Sequence, residues 1–139
     1  MEKTPPMTRV VYRGELHTEA RHLRSGDELR TDAPVDNRGR GQAFSPTDLV
    51  ATALASCILT IMGMTAMDNG IDMEGAEAAA VKVMGSAPRR IVRLEVEVFM
   101  PEGPFSEREK RLLEKAAHHC PVANSLHPDL EEVIRFHWK

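Results

Sequence analysis

From Leu49 to Met67 no side chain carries a charge. The stretch is nearly long enough to cross a bilayer as a helix. Thr52, Ser56, Thr60, Gly63 and Thr65 dilute it, and no Lys/Arg cluster flanks it, so no membrane partner is expected. A helix buried on all sides, in a core or between copies of the chain, fits better. Its ends are written plainly. Ser45 is a good N-cap, Pro46 belongs at the first helical position, and Asp48 sits where a capping box wants a carboxylate. Asn69-Gly70 should close it, with Gly70 as a left-handed C-cap.

The rest of the chain is arranged around that helix. Met7 to Tyr12 and Glu15 to His22 read as strands either side of a turn at Arg13-Gly14, and Glu28 to Thr31 as a third. Asp32 to Phe44 is a loop broken by Pro34, Gly39 and Gly41 and carrying Arg38 and Arg40. Ala76 to Met84 is a weak strand, and Pro88-Arg89-Arg90 a turn. Val92, Leu94, Val96 and Val98 alternate with Arg93, Glu95 and Glu97, the clearest strand signal present. Ser106 and Glu109 form a capping box for a second helix with Leu112, Leu113, Ala116, Ala117 and Cys120 along one stripe. Pro121 ends that helix and opens a short helical turn to Leu126, with Cys120 as its N-cap. Val133 to Trp138 is a final strand, with Ile134, Phe136 and Trp138 on one face. The order implies an α+β fold with a mixed or antiparallel sheet and a single domain over residues 1–139.

Bulk properties narrow the function. A length of 139 residues allows one real core, and a net charge of −3 argues against a nucleic-acid partner. The opening Met1-Glu2-Lys3-Thr4-Pro5-Pro6 holds no apolar run, so no secretory signal is expected, and a cytoplasmic site is the default. Two cysteines are too few for a disulfide scaffold. A disulfide in that compartment would be transient and catalytic.

Cys57 lies on the long helix, on a face with Val50, Ala53, Leu54, Thr60, Ile61 and Met64. Apolar surroundings raise a thiol's pKa unless a cation compensates. The bland reading is a small core hydrophobe. The functional one needs an arginine from elsewhere, and Arg38 and Arg40 are the nearest supply. Cys120 stands at a junction where carbonyl dipoles ending one helix oppose free N–H groups opening the next. A metal set of Cys57, Cys120, His118 and His119 lacks the paired spacing of a zinc site, so no metal is expected. Asp48 lies about 180° round the helix from Cys57 and is assigned to capping. No phosphate loop or nucleophile elbow is present.

The run Phe44-Ser45-Pro46-Thr47-Asp48-Leu49 through Ala55-Ser56-Cys57, followed by Cys120-Pro121-Val122 and Ser125-Leu126, resembles the OsmC/Ohr family over nearly the whole chain. The resemblance implies a cytoplasmic α+β protein that forms an intertwined homodimer with its long helices back to back. It implies a thiol peroxidase for small organic hydroperoxides, with Cys57 peroxidatic and Cys120 resolving. No bound cofactor is implied, only an external dithiol reductant, lipoylated or otherwise. The Ohr branch carries a glutamate directly after the helix-opening proline, where this chain has Thr47, and an arginine in the first hairpin, which Arg13 matches loosely. The OsmC branch draws its arginine from the loop before the helix, at Arg38 or Arg40; Arg40, within Gly39-Arg40-Gly41, is the choice. The rival is a non-catalytic member holding a small hydrophobic molecule in the dimer cleft, with Cys57 as lining.

Overall fold

The computed structural model describes residues 3–139; Met1 and Glu2, which head the segment read as lacking a leader, lie outside the described residues. The chain divides into two compact units, Met1–Leu49 and Val50–Lys139.

In the first unit β1 (Thr8–Gly14), β2 (His17–His22) and β3 (Glu28–Asp32) form an antiparallel sheet in sequence order. Its first reversal is not at Arg13-Gly14, as the sequence implied. It falls at Glu15-Leu16, both in the left-handed region at φ 53° and 63°. Two positive φ values in succession mark the tight hairpin turn whose twist matches that of its strands. Gly14, at φ 87°, lies where the register slips after Tyr12. The glycine therefore serves a bulge, while two ordinary L-residues take the turn, which local turn chemistry does not anticipate.

Strand alternation gives the sheet two unlike faces. Val10, Ala20 and Leu29 stand in register on one, beside Tyr12, Thr18 and Thr31. The other carries Arg9, Arg21 and Glu28, then Val11, Glu19 and Arg30. The loop after β3 folds back on itself: Gly39 N–H donates to Pro34 O and Gly41 N–H to Ala33 O. A Cβ on Gly39 would lie 1.7 Å from Ala33 O, so only glycine fits there.

The long helix α1 (Pro46–Asp68) opens with the expected reciprocal cap. Asp48 N–H donates to Ser45 Oγ and Ser45 N–H to Asp48 Oδ2, both at 3.0 Å. It closes at Gly70, φ 64°, with Ile71 N–H donating to Ala66 O at 2.8 Å and Gly70 N–H to Met67 O at 3.4 Å. That pair of bonds is a Schellman motif.

Beyond Leu49 the second unit comprises most of α1, then β4 (Glu77–Gly85), β5 (Arg90–Phe99), α2 (Glu107–Ala117), α3 (Pro121–Asn124) and β6 (Glu131–His137). Arg90 begins β5 rather than sitting in the preceding turn. β4 pairs β5 antiparallel, β5 pairs β6 parallel, and the sheet order is β4-β5-β6. A parallel neighbour needs a crossover, and α2 with α3 supplies it. Both of the expected sheet types are thus present, one per unit, in an α+β fold.

Within the single chain, one side of the long helix is buried. Ala51, Leu54, Ala55, Ile58, Met62 and Ala66 form one buried stripe at helical spacing. They pack with Leu94, Val96 and Val98 of β5, Met100, Leu113 and Ala117 of α2, and Cys120. Thr52, Ala53, Ser56, Thr60, Met64 and Met67 are exposed. Small residues on both sides of the helix hide this asymmetry, because Ala, Ser, Thr and Gly suit a core edge and a surface alike. Among the described residues α1 is the one helix long and apolar enough to cross a bilayer by length and composition.

Candidate functional site

Cys57 and Cys120 lie far apart in sequence, and the second unit brings them together. Cys57 stands on α1 one row off the buried stripe, half-buried and packed against the core. This corrects the face assigned to it, since Ala53, Thr60 and Met64 on that face are exposed. Cys120 is fully buried, in the core cluster between α2 and α3. Its N-cap position arises because Pro121, which lacks an N–H, can start a helix but not continue one.

The two thiols are near enough to interact electrostatically, and both are free. Burial pushes the Cys120 thiol above its ordinary pKa, and the neighbouring Cys57 adds to the rise. The N–H groups of Ala123 and Val122 pull the other way without forming a full capping bond. Of the two effects weighed at this junction, the helix-opening N–H groups are felt, but desolvation wins. Burial therefore favours the protonated form of Cys120.

His118 and His119 are both exposed. The His118 ring meets Phe136 edge-on at 6.4 Å. Among the described residues no group of three or more His, Cys, Asp or Glu side chains could hold a metal ion. Glu132 at the start of β6 was not singled out in the sequence. It is half-buried, and burial raises its pKa while His118 lowers it. It lies two residues before Ile134, in the row of Ile134, Phe136 and Trp138, a signal missed because the expected strand began at Val133.

Arg40 belongs to the first unit, in the glycine-flanked loop, where its guanidinium pairs with Glu15 from the hairpin tip. Arg38 closes the short 3-10 turn Val35–Asn37 in the left-handed conformation, φ 69°. Arg13 pairs with Glu19 at 3.0 Å.

A half-exposed thiol beside a buried, protonated one defines a two-thiol protein of the α+β class. A family description, OsmC-like protein, matches residues 39–132, which include both cysteines. The chain belongs to the OsmC-like family. A crystal structure from Psychrobacter arcticus, provisionally named an osmotic stress induced and detoxification response protein, is 43% identical, covers 98% of each chain and superposes with a TM-score of 0.93. An organic hydroperoxide resistance protein from Elizabethkingia anophelis covers all of both chains at 16% identity and a TM-score of 0.75. Another, from Legionella pneumophila, covers 96% of this chain and 98% of its own at 17% identity and a TM-score of 0.73. These two share the fold. None of the curated proteins matches this chain in sequence.

Proposed function

We propose that this protein reduces organic hydroperoxides with Cys57 as the attacking thiol and Cys120 as the resolving one. The observation that carries the reading is the unequal exposure of two neighbouring thiols. A dissolved peroxide meets Cys57, whereas Cys120 is buried and holds its proton. The names of the more distant fold neighbours supply the substrate class.

In the first step the Cys57 thiolate attacks the terminal peroxide oxygen. The S–O bond forms as the O–O bond breaks, and the departing alkoxide takes a proton from solvent to leave as an alcohol. Cys57 is then a sulfenic acid. In the second step the Cys120 sulfur displaces its hydroxyl, releasing water and forming a disulfide. An external dithiol restores both thiols by exchange and becomes a disulfide itself. Arg40 is our candidate catalytic arginine, and a second copy of the chain is the proposed partner.

Reduced protein is mixed with one equivalent of cumene hydroperoxide and its free thiols are counted. Loss of both thiols, with one disulfide formed, is expected. Cys57→Ser should consume no peroxide. Cys120→Ser should turn over once and then accumulate sulfinic acid at Cys57. Arg40→Gln should slow peroxide consumption. Two intact thiols after exposure to a peroxide that a known peroxidase removes would sink the reading in favour of a binding role.

A further inference from the structure

We infer that the first unit holds an oxyanion site, built on the charged face of the N-terminal sheet and centred on Arg30. A cavity of about 320 Å³ opens there, lined by Arg13, Arg30 and Arg40 together with Glu15, His17 and Asp32. It lies wholly within Met1–Leu49 and uses neither cysteine.

The charges in the cavity do not cancel. Glu15 is taken by Arg40. Asp32, nearly buried, accepts the Gln42 N–H on Oδ2 at 3.0 Å and meets His17 Nδ1 on Oδ1 at 3.0 Å. Glu19, which stands directly across the strands from Arg30, is bound by Arg13 instead. Every carboxylate near the cavity is thus engaged, and Arg30 has no acceptor among the described residues. A guanidinium offers a planar fork of donors that suits two oxygens of one carboxylate or phosphate.

The walls are also set in advance. Ala33 N–H donates to Leu16 O at 3.0 Å, tying the hairpin tip to the loop that bears Arg40. Gly39 is forced against Ala33 O, and Arg38, Glu15 and Leu16 hold left-handed backbone. Strained, over-determined backbone of this kind collects at binding sites. Arginines presented from it lose less freedom when an anion arrives. The ligand chemistry is a small oxyanion with two acceptor oxygens in one plane, either a carboxylate or a phosphate.

The intact protein is titrated in low-salt buffer with sodium butanoate and, separately, with inorganic phosphate, following backbone amide shifts. Saturable binding of at least one probe is expected, with a Kd of about 1 mM, fitting for an exposed site of this size. The shifts should centre on Arg30, His17 and the Gly39–Gln42 segment. Arg30→Gln should weaken binding at least tenfold, and Arg30→Lys should fall between, because it keeps the charge and loses the fork. Saturation by one probe alone identifies the source. No saturable shift with either probe overturns the inference. So does equal binding by wild type and Arg30→Gln variants with matching amide spectra, which would mark a general ionic response.

Discussion

Glu132 offers a test of burial against charge. Its native pKa is raised from 4.5 by desolvation, so the folded state prefers the protonated acid. That preference contributes stability fully below about 4.5 and loses it as pH climbs through the higher native value. At neutral pH the ionised carboxylate is a net cost, which His118 only partly offsets. Glu132→Gln should therefore raise the melting temperature slightly at pH 7, and the gain should vanish below pH 4.5. Thermal melts across that range check it. The thiols behave by the same logic in the opposite exposure. Iodoacetamide should label Cys57 in the native protein, while Cys120 should react only after unfolding. The sequence made the capping residues readable at this level, since Ser45, Asp48, Ser106 and Glu109 act locally. It could not reveal the Glu15–Arg40 pair, because that depends on distant neighbours.

The helix ends carry measurable weight. Ser106 Oγ accepts from Glu109 N–H at 3.1 Å, and Glu109 Oε1 accepts from Ser106 N–H at 2.8 Å. Ser106→Ala should cost about 1 kcal/mol in urea unfolding. Gly70→Ala should cost a similar amount, about 1 kcal/mol, by forcing an L-residue into the left-handed C-cap. The central strand β5 shows why alternation was a sound guide. Leu94, Val96 and Val98 are fully buried, while Arg93 and Arg135 flank Glu95 on the other face and hold its carboxyl below the usual range. The hairpin tip, and which side of α1 meets the chain's own core, escaped the sequence for one reason. Neither Glu15-Leu16 nor a helix of small residues has a composition that commits it to one conformation or face.

Each unit leaves an apolar surface uncovered. In the first sheet Val10 and Tyr12 are 60% and 64% exposed, although a three-stranded sheet needs one face covered for stability. Along α1, Met64 and Met67 are 55% and 82% exposed on a face without charge. A second copy of the chain is the occupant proposed for the helix face. Sedimentation equilibrium should accordingly give a dimer. Met64→Glu, harmless to a monomer's core, should shift it toward monomer or drive it out of solution. The uncharged run that constrained the fold so strongly from the outset meets the chain's own core on one side, and the dimer prediction concerns the other.

The meeting of Cys57 and Cys120 has a consequence for the unfolded chain. A bond between them would enclose β4, β5 and α2 in one covalent ring, with α3 and β6 left as a tail. Closing so long a loop removes about 4 kcal/mol of conformational freedom from the denatured ensemble, less any strain in the native bond. Oxidation would then act on the state that is not folded, and the oxidised protein should melt at a higher temperature than the reduced one. Turnover by such a pair would leave its redox history written as heat resistance, erased each time a dithiol reopened the ring.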